Sequence, residues 1–310
     1  MSAATVAAGA LQIAGAVAVA PLAAGLVQSL KGRLQGRRGP SPLQPYRELR
    51  RLWHKSGVQP EPTTALYRAA PAVVASSVCV GVLLVPIAGR APAWGVGHDA
   101  VVLVGMLALA RFAITLAAWD TGSGFGLMGA GRDLTFAVFA EGALLLVILL
   151  AALPAGGSTD LLSMTDAAAG TNIWREPAHW CAALAFALVA LAETGRQPVD
   201  NPDTHLELTM VHEGPLLEYA GRELAVLQWA AAARLWLMLL LAAELFGPTD
   251  GPFTAQVAIL ALTIVVLCAA LALTETTLAK MRVLRVPLFL GGGAALCLAG
   301  LGSWLAGGAL

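Results

Sequence analysis

The chain has 310 residues, 58% of them hydrophobic and only 12% charged, with nineteen basic residues balanced by nineteen acidic ones. A soluble chain is normally about a quarter charged, so water is excluded as the main solvent. A formal net charge of zero leaves no overall attraction to nucleic acid.

In chain order, apolar stretches run at about 3–30, 65–88, 99–118, 133–153, 178–194, 223–246, 253–275 and 287–308, each at or near the ~20 residues that cross a bilayer as a helix. The expected fold is all-α: a polytopic integral membrane protein of about eight transmembrane helices, forming one membrane domain over 1–310. The first stretch has no basic residue before it and a basic cluster after it, so it reads as a retained span rather than a secretory signal. That cluster holds Lys31, Arg33, Arg37, Arg38, Arg47, Arg50, Arg51 and Lys55 against only Glu48 and Glu61, and the positive-inside rule places it in the cytoplasm with the N-terminus outside. Threading the spans from there puts Arg132, Arg196, Arg222, Lys280, Arg282 and Arg285 on the same side, leaving Arg90 and Arg175 outside. The expected cytoplasmic loops are 31–64, 119–132, 195–222 and 276–286.

Within the first loop, Leu43, Tyr46, Leu49, Leu52 and Trp53 recur at helical spacing with basic residues between them, the pattern of a helix lying in the membrane interface. Anchoring to anionic lipid explains that pattern as well as a functional role does. Gly124-Phe-Gly-Leu-Met-Gly129 fits Gly-x-Gly-x-x-Gly, but it follows a span rather than a strand and lacks a βαβ unit, so it reads as a loop turn and not a nucleotide site. Loop 195–222 is acidic, with Asp200, Asp203, Glu207, Glu213 and Glu218; Asn201-Pro202 is a helix start, and a short helix over 202–213 is expected, stopped by Gly214-Pro215. His205 and His212 stand seven apart, not in His-Glu-x-x-His spacing, so no metal is expected there. Cys79, Cys181, Cys268 and Cys297 each stand alone in an apolar run, which argues against a zinc site, an iron–sulfur cluster or a disulfide framework.

The chemistry-bearing candidates are the ionisable residues inside the spans: Arg111, Glu141, Glu193, Arg234, Glu244 and Glu275. Each costs a few kcal/mol or more in hydrocarbon, so their presence calls for a function or a partner. Glu141 is nine residues past Arg132, too deep to reach an interface by snorkelling, whereas Glu193, Glu244 and Glu275 lie near helix ends. A carboxyl group in a low-dielectric site gains proton affinity and can load and release a proton when a neighbouring charge changes. Static pairing with Arg111 or Arg234 explains any single acid equally well; the set, with the acidic loop on one side, favours an ion path. His205, His212, Glu213 and Glu244 are further candidates for a proton relay.

Four segments resemble the membrane subunit that joins the two arms of respiratory complex I, and its relatives in membrane-bound nickel–iron hydrogenases such as formate hydrogenlyase. They are Gln35-Gly-Arg-Arg-Gly-Pro40 with Leu43-Gln-Pro45 and Glu48; Gly129-Ala-Gly-Arg132 with Glu141, where Ala140 replaces the family's aromatic residue; Ala192-Glu-Thr-Gly-Arg-Gln-Pro-Val-Asp200 continuing through Glu207-Leu208 to Glu218-Tyr219; and Leu278-Ala-Lys-Met-Arg-Val-Leu-Arg285. The resemblance implies that Glu141, Glu193, Asp200, Asp203, Glu207 and Glu218 form an acidic ion path, with Arg132 and Arg196 as charge partners. It also implies that Arg38, Gln44, Tyr46, Glu48 and Arg51 lie where the membrane arm joins the redox arm. Only Ser41 and Pro42 separate the Gly-Pro and Leu-Gln-Pro pieces, and Asn201-Pro-Asp-Thr-His205 and the segment 278–285 look hydrogenase-like.

The resemblance therefore implies a membrane-anchor and coupling subunit of a hydrogenase-type oxidoreductase in the cell inner membrane. It would have no redox centre of its own, with nickel–iron and iron–sulfur centres on hydrogenase-like large and small subunits and with antiporter-like membrane subunits beside it. A quinone-site subunit of an NADH-quinone oxidoreductase is the alternative within the family. A stand-alone ion transporter or a passive scaffold is the alternative outside it, and the transporter is disfavoured by the lack of an inverted repeat.

Overall fold

The computed structural model of the protein describes residues 3–61, 63–91, 97–169, 173–201, 211–248 and 251–307. The described residues form no strands, only isolated bridges between Ile87 and Arg90 and between Asp99 and Asp160. The helices are α1 (Ala3–Ala14), α2 (Ala20–Leu34), α3 (Gln44–Trp53), α4 (Ala65–Leu84), α5 (Ala100–Asp120), α6 (Gly124–Ala152), α7 (Leu161–Ala168), α8 (Pro177–Glu193), α9 (Gly221–Phe246), α10 (Phe253–Thr277) and α11 (Val286–Gly307). A π-turn at Gly15–Val19 joins α1 to α2 without breaking the helix.

All eight apolar stretches are helical, and seven helices among the described residues are long and apolar enough to cross a membrane. The eighth, α8, has 17 residues. At about 1.5 Å per residue it reaches about 26 Å, short of the ~30 Å hydrocarbon core. Side chains fix where several helices begin. Thr64 accepts from Leu66 N (3.2 Å), Asp99 from Val101 N (2.7 Å) and Asp160 from Ser163 N (3.0 Å), each supplying an acceptor that the first helical turn lacks.

The helices gather around a single buried core in which Tyr67, Leu103, Leu144, Phe186, Leu237 and Leu240 are fully covered. Helix α4 packs on α5 and α9, α6 on α5 and α8, α11 on α6 and α8, and α10 on α2. Leu262, Val265, Val266, Leu288 and Leu298 of α10 and α11 stay exposed, as suits a surface solvated by lipid. One end of the bundle, the basic end, carries the loops rich in Lys and Arg. There α3 packs against α2 and α9, with Leu52 buried and Leu43 and Trp53 exposed.

Two expectations need correction. Residues 119–132 are not a loop: α5 runs to Asp120 and α6 begins at Gly124, so the Gly-x-Gly-x-x-Gly segment is the first turns of α6 rather than a loop turn. The reason is packing. A Cβ on Gly129 would lie 2.7 Å from Gly214 Cα, so the missing side chain lets loop 195–222 lie directly on α6. The helix expected over 202–213 falls mostly outside the described residues, and its described end, Val211–Glu213, is bend rather than helix.

The close approach at Gly129 makes a prediction. Gly129→Ala drives a methyl group into the backbone of Gly214 and should cost about 1–3 kcal/mol. Gly131→Ala, whose Cβ meets nothing within 4 Å, should instead be neutral or stabilising by up to ~1 kcal/mol. Thermal unfolding of the two variants in detergent checks both signs.

Candidate functional site

The basic end of α8 is where the chain departs from a simple bundle. Because α8 is short, Glu193, its last residue, lies at 1% exposure among the neighbouring helices. The chain then continues as a buried loop in which Val199 is 1% and Asp200 5% exposed. Irregular backbone at this depth is tolerated only when protein covers it and its polar groups are met. Here Arg196 N donates to Leu191 O (2.9 Å), Val199 N and Asp200 N donate to Arg196 O (2.9 and 3.1 Å), and Met281 N donates to Pro198 O (2.9 Å). Gly195 makes the turn at φ +61°.

The end of α8 faces Arg111, near the middle of α5. This guanidinium is 3% exposed and touches carboxylates from two other helices: Glu193 Oε2 at 2.8 Å from NH2, Glu141 Oε1 at 3.5 Å from NH1, and Asp133 Oδ2 at 3.8 Å from Nε. Arg234 of α9 approaches the same acids and feels the charges of Glu193, Asp133 and Glu141. Three carboxylates thus share two guanidinium groups. Glu141 stands about 26 Å from the start of α6 and about 17 Å from its end, so the cluster lies deep in the bundle.

From Asp133 the polar row turns toward the loop. His212 Nε2 lies 3.6 Å from Asp133 Oδ1 and its Nδ1 lies 3.5 Å from Asp200 Oδ2. Asp200 also receives Lys280 Nζ (2.7 Å), Val211 N and His212 N (both 3.2 Å) and Asn201 N (2.8 Å). Burial opposes ionisation of Asp200, but the hydrogen bonds and charges of His212 and Lys280 outweigh it and hold the carboxyl well below the usual carboxylate range. A neutral imidazole donates from one nitrogen and accepts at the other, whereas a protonated one donates from both, so a proton bound at either face of His212 can leave from the other. Lys280, Asp200, His212, Asp133, Arg111, Glu193 and Glu141 thus stand in a row, in which His212 to Asp133 (3.6 Å) and Asp133 to Arg111 (3.8 Å) are charge contacts longer than hydrogen bonds.

The remaining candidates fall elsewhere. Asp203, His205 and Glu207 lie outside the described residues. Arg196 pairs with Glu275 (2.9 Å) rather than with an acid of the row. Glu218 contributes its backbone: its carbonyl accepts from Tyr67 OH (2.7 Å), Tyr219 OH donates to Tyr67 O (2.8 Å), and the two rings stack at 4.2 Å. Glu213 opens the short turn Gly214–Leu216, and Arg132 is half-buried beside Met128, Phe136 and Leu284. Glu244 is at the opposite end of α9, accepting from Ala88 N (2.7 Å) and Gly89 N (3.4 Å), which separates it from the row. It braces a turn in which Ala88 and Gly89 adopt φ +52° and +62°. Gln44 donates to Glu48 (2.7 Å), which pairs with Arg51, while Tyr46 OH donates to Ala18 O and Arg38 is exposed. These residues form a separate group on α3 and the loop before it.

Sequence reasoning misses Asp133, the acid on which Arg111 and His212 converge. By hydropathy it is the edge of a span, yet Gly126, Gly129, Asp133, Ala137, Ala140 and Leu144 recur at helical spacing on the buried face of α6. Carrying that period back through the glycines would place Asp133 inside.

The NADH dehydrogenase family model matches residues 7–294 of the chain. Formate hydrogenlyase subunit 4 of Escherichia coli (strain K12) is 33% identical over 283 residues, covering 86% of this chain and 87% of that protein. Hydrogenase-4 component C of the same organism is 31% identical over 274 residues, covering 86% and 85%. Among solved structures, the membrane-bound sulfane sulfur reductase (MBS), an archaeal respiratory membrane complex, contains a chain similar at a TM-score of 0.81 over 95% of this chain and 97% of that chain. At 19% identity this is a likeness of fold. With a family match over nearly the whole chain and two relatives above 30% identity, the chain belongs to the NADH dehydrogenase family.

Proposed function

We propose that the protein is the membrane-anchor and coupling subunit of a multisubunit hydrogenase-type oxidoreductase, linking electron transfer in its partners to translocation of protons or Na⁺. The observation that carries this reading is the row of charged and titratable side chains from Asp200 through His212 and Asp133 to the Arg111 cluster, each within 4 Å of the next. A buried cluster in which three carboxylates share two guanidinium groups has a site for a proton, and His212, between Asp200 and Asp133, offers a way in from the loop. The basic end faces the cytoplasm, by the charge asymmetry of the loops. The nickel–iron and iron–sulfur centres belong to partner subunits that dock at this end, and changes in their charge act on the row.

Glu141 is the proposed way out. Its side chain keeps 23% exposure, on a face of α6 that also presents Val138 and Phe139. A carboxylate open to lipid at mid-span costs several kcal/mol, which favours an antiporter-like membrane subunit covering this face and continuing the path.

In the assembled complex, Glu141→Gln and His212→Phe should leave electron transfer within about twofold while ion translocation falls by about a hundredfold, the scale of losing a positioned acid–base group. Translocation that survives both changes would sink the reading. Arg111→Met strands buried carboxylates and should cost about 3–5 kcal/mol, read as loss of assembled complex. Because the Asp200 carboxyl is held below its ordinary range, its ties are present at neutral pH and lost only as pH falls through that lowered value. Hydrogen-exchange protection of 195–201 should therefore hold from neutral pH to about pH 4 once corrected for intrinsic rates, and Asp200→Asn should abolish it.

A further inference from the structure

One buried ionic cluster has no part in the row. Glu275, near the basic end of α10, is 4% exposed and receives Lys31 Nζ on one oxygen (3.0 Å) and Arg196 NH1 on the other (2.9 Å). The triad joins the last turn of α2, the end of α10 and the loop after α8. The Gln197 amide, turned toward the backbone of the same helix end, donates to Glu275 O (2.7 Å) and Leu278 O (2.9 Å). Arg196 is three residues after Glu193, so their Cα atoms are at most about 11 Å apart. The triad is thus tied to the end of α8 by three residues of hydrogen-bonded backbone, so a shift of Arg196 is passed to the turn that positions Glu193.

The other side of the triad leads to the surface. Beyond α2 the chain turns at Gly36 (φ +70°) and comes back along the helix so closely that a Cβ on Gly32 would lie 2.4 Å from Gly39 Cα. Helix α3 follows and packs on α2, with Arg37, Arg38, Arg47, Arg50 and Arg51 exposed. A partner that presses on this basic surface therefore presses on the turn that carries Lys31.

We propose that the Lys31–Glu275–Arg196 triad is a control element for the ion path, in which the position of Lys31 sets how tightly the Arg111 cluster holds a proton. This rests on the ion-path reading of that cluster. Lys31 is the positioning residue: its charge, held against Glu275, favours the ionised form of the carboxylates beyond, and its withdrawal favours proton uptake. The charged and titratable groups facing the cluster and triad are Lys31 of α2, Arg111 of α5, Asp133 and Glu141 of α6, Glu193 of α8, Arg234 of α9, Glu275 of α10, and Arg196, Asp200, His212 and Lys280 of the loops. Of these, Lys31 of α2 and Arg234 of α9 stand on the two helices that pack against α3, and Lys31 is the one in a last turn, next to the segment that leads into α3.

The test is an infrared pH titration of the assembled complex in its membranes, following the protonated-carboxyl band that Glu141→Gln or Glu193→Gln removes. Lys31→Met, and Lys31→Gln, which keeps a hydrogen bond to Glu275, should raise the midpoint of that band by about one pH unit. Lys31→Arg should restore it, and Arg33→Gln, which removes an exposed charge from the same helix, should leave it unmoved. A midpoint unchanged in both neutral Lys31 variants, or moved equally by Arg33→Gln, overturns the proposal. If no titrating band depends on Glu141 or Glu193, the ion-path reading fails and the proposal with it.

Discussion

Arg111 holds the interior together. Its guanidinium meets Glu193 from α8 and Glu141 and Asp133 from α6, while its own helix is α5, so one side chain ties three helices at a depth where none of the four charges could exist alone. Much else follows from keeping it satisfied. Helix α8 must stop where Glu193 can reach it, which leaves a recess at the basic end, and the loop 194–201 must fill that recess with its backbone polar groups met. Helix α6 must begin early enough to bring Asp133 inside, and its glycines must admit the loop.

Charge in this chain is therefore graded along a direction across the bundle. At the α2 side Glu275 lies between two cations, Lys31 and Arg196; at the loop Lys280 balances Asp200; and in the interior the carboxylates outnumber the guanidinium groups. His212 stands between the second and third of these zones, with one ring nitrogen toward Asp200 and the other toward Asp133. Each acid of the row and of the triad thus lies within 4 Å of a cation or an imidazole.

The class of fold was legible because hydropathy reports burial in lipid directly, and every apolar stretch is a helix. Helix ends were less so. Arg132 and Asp133 lower local hydropathy and make residues 119–132 look like a loop, although the bundle itself supplies partners for Asp133. The intramembrane charges announce themselves through their cost, which is why Arg111, Glu141, Glu193 and Arg234 stand out in the sequence. Their pairing is not readable there, because Lys31 and Glu275 are 244 residues apart and Lys280 and Asp200 eighty. Glu244 stands out in the sequence in the same way, but its backbone partners, Ala88 N and Gly89 N, lie 156 and 155 residues away and are equally unreadable there.

Gly195 shows how tightly the loop and the row are bound together. A Cβ at this position would lie 2.8 Å from His212 Nδ1, and the backbone there is left-handed, so the residue is fixed twice over: by its own turn and by the ring that occupies the space a side chain would need. Removing the ring would open space beside the turn without relieving its backbone, so position 195 remains a glycine site whatever stands at 212, while any residue at 212 must leave that space to the turn.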